Sequence, residues 1–478
     1  MKEIVFENIT KDIVNCITSE QAWFYNIVPF MFENNSLSIL IDKQKNNNNI
    51  QSELEVILGR QVKLIDTDSE IIYRGLQIHY RRTEQKPSST YTNLNIGESD
   101  DFLRKLITEA KSLGSSDIHI EIYEEKCRIR LRMDGHLIER YQLSKNEYPY
   151  LINQLKIKAN IEITEKRLPQ DGRINFRNEH YKFDIRVSVL PTLHGEKIVL
   201  RILSNDAANI DLLKLGFNHK QLNDYIEGTK RPHGILLISG PTGSGKTTTL
   251  YATLKLLNKE DVNILTIEDP IEYTLPGINQ VQLHEDIGLT FGSALRTFLR
   301  QDPDIIMVGE IRDPDTAQMA VRSALTGHLV LSTIHTNSAW GTISRLTDMG
   351  VPPYLIANTL NTSVAQRLVR LLCNHCKKEI EFNSSALPPG VTLPENISKH
   401  HIAKGCEHCH FTGYNGRKAI YEVVTITQEF VEEIKMQKQQ PNDLYSKHKI
   451  STLANSAFEL LKRGESSLDE VYSILAGG

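Results

Sequence analysis

Residues 240–247 read Gly240-Pro241-Thr242-Gly243-Ser244-Gly245-Lys246-Thr247, the pattern G-x-x-x-x-G-K-[ST]. Its glycines let the backbone turn so that successive N–H groups point into one concavity, which holds phosphate oxygens. A lysine at this spacing reaches the β- and γ-phosphates, and the hydroxyl after it ligates Mg²⁺. The expected ligands are ATP and Mg²⁺, held by residues 240–247 and Thr248, with Thr247 on the metal.

Hydrolysis of ATP needs a carboxylate that positions or activates water opposite the γ-phosphate. The run Asp302-Pro303-Asp304-Ile305-Ile306-Met307-Val308-Gly309-Glu310 ends an apolar stretch in an acid. Many phosphate-loop proteins place an Asp where Gly309 stands. Here the duty passes to Glu310, which polarises the water, holds Mg²⁺ through a water, or does both; the bland alternative is an ion pair with Arg312. A second acidic cluster, Glu268-Asp269-Pro270-Ile271-Glu272, follows the apolar run 264–267 and makes Glu268, Asp269 and Glu272 candidate catalytic acids. Both clusters close apolar runs, and parallel sheets gather their chemistry at the C-terminal ends of strands. His328 and His335 frame another apolar run. Either imidazole can sense the γ-phosphate or relay a change, or simply cap a strand end. Arg186, Arg201, Arg296, Arg300 and Arg312 are candidates to stabilise developing phosphoryl charge, in cis or across a subunit boundary. The residues alone do not choose among them.

Four of the six cysteines fall in two C-x-x-C pairs, Cys373-Asn374-His375-Cys376 and Cys406-Glu407-His408-Cys409. Each pair can bite one tetrahedral ion, which predicts a Cys₄ site for Zn²⁺. A closed shell leaves no open position, so the metal is expected to be structural. Redox chemistry would need only one pair. His375, His408 and His410 can replace a ligand, but thiolates, the softer ligands, have priority. Cys16 and Cys127 stand alone and read as ordinary thiols.

The elements that must position these residues alternate in kind. Apolar runs at 235–238, 264–267, 305–308 and 329–334 read as strands separated by helical stretches; the phosphate loop follows the first run directly and a helix follows the loop. That alternation predicts an α/β fold, a RecA-like P-loop core with a parallel sheet over residues 215–424. The zinc knuckle 373–409 is an insertion in it, and 425–478 reads as a polar-faced helical segment. Residues 99–205 read as α+β. Phe102, Leu103, Leu106, Ile107, Ala110 and Leu113 share a helix face that Ser99 or Asp100 can cap. Ile118, Ile120 and Ile122, then Ile129, Leu131 and Met133, alternate with polar residues, and Asp134-Gly135 turns the chain. Phe183, Ile185 and Val187 alternate again, and 198–203 adds a further strand. Residues 1–83 read as a small α/β domain with a strand at 37–41 and a helix at 50–58 ended by Gly59, followed by a polar linker over 84–98.

The 478 residues include 55 Lys and Arg against 59 Asp and Glu, a net charge of −4. This is not the balance of a duplex-binding machine, and 7% aromatic residues give no sign of a stacking channel; no nucleic-acid partner is expected. No stretch approaches the roughly 18–20 apolar residues of a membrane span. Acids at Glu3 and Glu7 argue against a signal peptide. The expected location is cytoplasmic, with only peripheral membrane contact.

Together these motifs resemble the secretion ATPase superfamily, the type II secretion and type IV pilus assembly ATPases. The resemblance is carried by Ser115-Ser116-Asp117-Ile118-His119-Ile120-Glu121, by Leu168-Pro169-Gln170-Asp171-Gly172-Arg173, and by 186–192 continuing to Gly195-Glu196-Lys197. Residues 268–272 match the family's aspartate box, 300–313 its Walker B region with Gly before Glu, and 326–337 its histidine box. The paired C-x-x-C matches the assembly branch. The likeness runs from about residue 100 to the end, and more weakly over 1–83. It implies a PAS-like second domain that closes over nucleotide held by the RecA-like domain, in a homohexameric ring. It also implies that Arg186 and Arg201 reach nucleotide phosphates while Arg296, Arg300 and Arg312 line the catalytic region. The implied activity is ATP hydrolysis that turns an inner-membrane platform protein. A cytoplasmic or membrane docking protein is the implied partner of the N-terminal domain, with the motor peripheral at the inner membrane. Retraction motors share the core but lack the long N-terminal region and the cysteine pairs, so the resemblance favours assembly or secretion.

Overall fold

The computed structural model describes residues 9–80 except 10, 15, 34–35, 44–49, 59, 70, 73–74 and 77–79, then 99–203 and 211–383, and finally 386–477 except 389–390, 392, 394, 396 and 439–440. The chain divides into two units, Met1–Thr90 and Tyr91–Gly478.

The first unit holds a sheet in the order β1 (Ile27–Glu33), β2 (Ser36–Asp42), β3 (Gln61–Thr67). Helix α1 (Ser19–Tyr25) opens with a reciprocal capping box between Thr18 and Gln21. β1 and β2 are antiparallel, whereas β2 and β3 are parallel. A parallel pair needs a crossover, and α2 (Ile50–Leu58) supplies it, burying Ile50 and Leu54 on a core that includes Leu37, Ile39 and Val62. The expected strand at 37–41 and helix at 50–58 are present. Gly59 and the linker 84–98 lie outside the described residues.

The second unit begins with an antiparallel sheet. Its strands are β4 (Asp117–Ile122), β5 (Cys127–Met133), β6 (His136–Leu143), β7 (Gln170–Arg177), β8 (Lys182–Thr192) and β9 (Gly195–Leu203), in the order β6-β5-β4-β9-β8-β7. The alternation seen in sequence sends Ile118, Ile120, Ile129, Leu131, Ile185 and Val187 into a core closed by α3 (Ser99–Ser112) and α4 (Tyr148–Lys158). Asp134 and Gly135 adopt φ of 46° and 87°, the left-handed pair that a two-residue hairpin requires. On the other face, Glu121 accepts ion pairs from Arg128 (3.0 Å), Arg130 (2.7 Å) and Lys197 (3.1 Å). β7 and α4 were not anticipated. Gly172 interrupts the pattern of β7 because the end of α4 passes over it: a Cβ there would strike the Ala159 carbonyl oxygen at 2.5 Å.

The main sheet follows. β10 (Gly234–Ser239), β11 (Ile264–Glu268), β12 (Asn279–Gln282), β13 (Ile305–Val308), β14 (Leu329–Ile334) and β15 (Leu360–Leu372) are joined, after the small hairpin of β16 (Lys378–Glu381) and β17 (Lys399–Ile402), by β18 (Tyr414–Thr425). The order is β12-β11-β13-β14-β10-β15-β18, parallel throughout except for β18. The central strands are buried on both faces: Ile235 and Leu237 enter one apolar cluster, Leu236 and Ile238 the other. The four expected strands are all present; β12, β15 and β18 extend the sheet beyond them. The C-terminal helices are not merely polar-faced. Phe430, Ile434, Phe458, Leu461 and Val471 pack into the same cluster as Val330, Ala365 and Val424. Among the described residues, no helix is long and apolar enough to cross a membrane.

Contacts between the antiparallel sheet and the parallel-sheet region come from Asp134 and from Arg186. The Asp134 carboxylate accepts from the Gly416 N–H at 2.9 Å and lies 3.4 Å from Arg417 Nε. Arg186, on β8, donates to the Ile271 carbonyl at 2.7 Å.

Candidate functional site

β10 ends at Ser239, and the chain turns through Gly240, Gly243 and Gly245 (φ 150°, 80° and 86°) into helix α5 (Lys246–Leu257). Gly240 and Gly245 answer to one neighbour. A Cβ at 240 would meet the Gln366 carbonyl oxygen at 2.5 Å, and one at 245 would meet Gln366 Nε2 at 2.9 Å. Gln366 is buried on β15. It donates to the Ser244 carbonyl at 2.8 Å and accepts from the Thr249 hydroxyl at 2.9 Å, pinning the loop to the first turn of its helix. Sequence reasoning missed this residue, since β15 carries no motif that points to it.

Among the described residues, the donors lining the loop have no acid in direct ion-pair contact. Lys246 Nζ curls onto the Gly240 and Pro241 carbonyls at 2.8 and 3.1 Å, and among the described residues it has no ion-pair partner. Burial holds its ammonium below the usual lysine range, against the pull of the Glu310 carboxylate. Ser244 Oγ is buried with no hydrogen-bond partner. Thr247 is exposed at the mouth of the loop. A buried ammonium, an orphaned hydroxyl and a nest of N–H groups fit a phosphate chain, and the open Thr247 hydroxyl fits a ligand of its Mg²⁺.

Glu310 follows β13 and faces this loop. Its Oε1 lies 2.5 Å from Arg312 Nη2 and its Oε2 lies 3.5 Å from His335 Nε2. The Arg312 pair weighed from sequence is therefore formed, and it leaves the second oxygen to His335. Gly309 sits against β11: its N–H donates to Ile267 O at 2.8 Å, and a Cβ there would meet the same oxygen at 3.3 Å and Glu268 Cα at 3.4 Å. A side chain at 309 would be crowded by that backbone, and the acid stands at 310 instead.

The two histidines separate. In the parallel pairing of β10 with β14, Ser239 lies opposite Ile334 and Gly234 opposite Leu329. His335 is thus beside the loop, while His328 is at the other end of the strand, roughly 20 Å away within one chain. There its Nδ1 lies 2.9 Å from the Ser323 carbonyl.

The aspartate box also divides. Glu268 is buried, and its oxygens accept from Tyr251, from Thr266 at 2.6 Å and from Gln280 at 3.1 Å. Three neutral donors occupy it, so it holds the end of β11 in place. The Asp269–Pro270 peptide is cis. Glu272 Oε2 lies 3.4 Å from Arg186 Nη1, so this arginine spans from the antiparallel sheet to the box. Arg201 stays within its own sheet, donating to Asp117 at 2.9 Å. Arg296 and Arg300 lie exposed on the helix Phe291–Phe298 and just beyond it; Arg300 bonds the Arg296 carbonyl at 2.8 Å. The structure therefore brings Lys246, Glu310, Arg312 and His335 together, while the neighbouring Glu268 carboxylate is engaged by its own donors and Arg201 by Asp117, and His328 stands at the far end of its strand.

The four clustered cysteines converge. Their Sγ atoms all lie within 4.8 Å of one another, with Cys373–Cys406 at 3.9 Å and Cys376–Cys409 and Cys406–Cys409 both at 3.8 Å. A tetrahedron of thiolates about 2.3 Å from zinc has edges of about 3.8 Å, whereas a disulfide is about 2.05 Å long. Burial raises the Cys409 thiol, but N–H groups of Cys406 and Gly413, each 3.2 Å from the sulfur, outweigh it and hold the thiol below its usual range. His375 and His408 stack on each other at 4.2 Å, outside the sulfur group.

The family model for the type II/IV secretion system protein matches residues 96–473, from the antiparallel sheet through the last helix. The chain belongs to that family. This secretion-family chain is 50% identical over 323 residues to the type IV pilus assembly ATPase PilB of Myxococcus xanthus, covering 67% of this chain and 57% of PilB. It is 40% identical over 445 residues to type II secretion system protein E of Pectobacterium carotovorum, covering 84% and 87% of the two. With Klebsiella pneumoniae protein E the match covers 65% of the relative, so the chain spans less than two thirds of the Myxococcus and Klebsiella proteins. Among solved structures, the pilus retraction motor PilT with bound ADP superposes with a TM-score of 0.53 at 27% identity over 78% of this chain and 96% of PilT. The Legionella pneumophila ATPase DotB has the same fold, with a TM-score of 0.59 at 22% identity over 82% and 98%.

Proposed function

We propose that this secretion-family protein is an ATP-hydrolysing motor for type II secretion or type IV pilus assembly. The observation that carries the reading is the grouping of Lys246, an unpartnered Ser244 hydroxyl, Glu310 and His335 at one end of β10, β13 and β14. The loop N–H groups and Lys246 bind the phosphates, and Lys246 leaves the Gly240 and Pro241 carbonyls to do so. The Thr247 hydroxyl holds Mg²⁺, whose charge offsets that of the phosphates. Glu310, steadied by Arg312, aligns the attacking water and accepts its proton; His335 lies against the same carboxylate and registers its state. Arg186 contacts the aspartate box in cis, which ties movement of the antiparallel sheet to the nucleotide site. The family likeness supports a homohexamer that works with an inner-membrane platform protein and a docking protein, peripheral to that membrane. Cys373, Cys376, Cys406 and Cys409 hold a structural Zn²⁺ that clamps the ends of β15 and β18. The likeness to secretion protein E over 84% of this chain supports the secretion and assembly branch.

The deciding experiment is Glu310→Gln. Phosphate release should fall by about two to four orders of magnitude while Mg²⁺-ATP still binds. Unchanged turnover removes Glu310 from the mechanism, and an inactive, nucleotide-blind wild type removes the motor itself.

A further inference from the structure

Arg367 follows Gln366 on β15 and is half-buried against the phosphate loop. Its Nη1 donates to the Gln366 carbonyl at 3.0 Å, and its Nη2 to the Asn337 carbonyl at 3.1 Å and to Asn337 Oδ1 at 3.4 Å. A Cβ at Gly240 would lie 3.2 Å from Nη1. Every one of these partners is neutral. Among the described residues, no carboxylate stands within ion-pair distance of this guanidinium. Glu422 faces it from β18, but that carboxylate is already engaged by the Ala339 N–H at 2.9 Å, the Tyr445 hydroxyl at 3.0 Å and the Leu453 N–H at 3.3 Å.

Two cations, Lys246 and Arg367, therefore border one loop without a directly paired acid. A cation partly withdrawn from water and left without an acid is poorly compensated, and a guanidinium so placed is suited to receive an anion as a planar fork. Its place in the loop indicates which part of the anion. Arg367 touches the Gly240 end and Asn337, two residues past His335, and His335 lies on Glu310. That is the side on which water would attack.

We infer that Arg367 is a nucleotide-binding residue that contacts the terminal phosphate of ATP in cis, and that ADP does not engage it. The inference rests on the ATP reading above. Lys246 serves both nucleotides through the β-phosphate, so the two cations divide the work, with Arg367 reporting whether the third phosphate is present.

The test titrates a non-hydrolysable ATP analogue and ADP, each with Mg²⁺, into full-length wild type, Arg367→Gln and Arg367→Lys. For Arg367→Gln the analogue should bind about tenfold or more weakly, with ADP affinity changed less than about twofold. Arg367→Lys keeps the charge without the fork and should lose less of the analogue's affinity; it also serves if the glutamine variant fails to fold. Equal losses for both nucleotides would mean that Arg367 only braces Gln366 and Asn337, and no loss for either would overturn the assignment as well. A wild type that binds neither nucleotide overturns the ATP reading together with this one. A wild type that binds both, beside an Arg367→Gln that matches it, overturns this assignment alone.

Discussion

Arg312 Nη2 lies 2.5 Å from Glu310 Oε1, and the arginine is mostly exposed, at 62%, while the glutamate side chain is 14% exposed. An ion pair open to water on one side adds little to folding, less than about 1 kcal/mol. Its consequence is orientational: it fixes one carboxylate oxygen so that the other faces His335. Arg312→Ala should therefore leave the thermal midpoint and ATP affinity nearly unchanged while kcat drops by about tenfold to a hundredfold, the cost of a misplaced catalytic group. A drop in stability without a drop in kcat would reverse that account.

Arg186 and Arg201 lie opposite one another on β8 and β9, yet they do different things. Arg186 crosses to Ile271 and Glu272; Arg201 is held by Asp117 in its own sheet. Arg186→Ala should speed amide hydrogen exchange over 268–273 in the nucleotide-free protein, and Arg201→Ala should not. If both variants act alike on that segment, the Arg186 contact is not what secures it.

The phosphate loop, the four central strands and the cysteine group were legible because each has a local signature: glycines at fixed spacing, apolar runs, paired C-x-x-C. The roles of the polar residues were less so. His328 and His335 look equivalent in sequence, and only the parallel register of β10 with β14 sets them at opposite ends. Glu268 looks as catalytic as Glu272 until Tyr251, Thr266 and Gln280 are seen to occupy its oxygens. Gln366 and Arg367 gave no signal at all. They act on the loop from β15, more than a hundred residues later, and non-local pairing of that kind leaves no periodicity to read. β7 was hidden for a related reason, since Gly172 serves a helix end that passes over the strand.

Glu121 carries the clearest acid dependence. Burial alone would raise its carboxyl, but hydrogen bonds from Arg130, Lys197 and Arg128 reverse this and bring it from 4.5 to about 2. Its side chain is 3% exposed, so solvent screens the cluster little. The folded carboxylate binds its proton less tightly than the unfolded one. The resulting stability is fully present above about pH 4.5 and drains away as the pH falls toward 2, a change of about 3 kcal/mol. Glu121→Gln should be less stable than wild type near neutrality, and the gap should narrow steadily in urea melts taken between about pH 5 and pH 3. A gap that stays constant would mean that the carboxylate's charge is not what the three cations require.

Cys376→Ser tests the zinc assignment where it has mechanical meaning. The Cys373 N–H donates to the Gly413 carbonyl at 2.9 Å, so the sulfur group sits where β15 leaves the sheet and β18 enters it. Binding of Zn²⁺ to isolated knuckles contributes on the order of 10 kcal/mol, enough to hold this junction closed on its own. Freshly purified wild type, never exposed to chelator, should contain one zinc per chain, and the serine variant much less. Amides between 373 and 413 should then exchange at least about a hundredfold faster in the variant, while those of β10 and β14, buried on both faces, should be unaffected. Metal-free wild type would refute the site. Zinc loss with unchanged exchange would keep the ion but deny it the clamp, because the strand pairing of β15 with β18 would then close the junction without it.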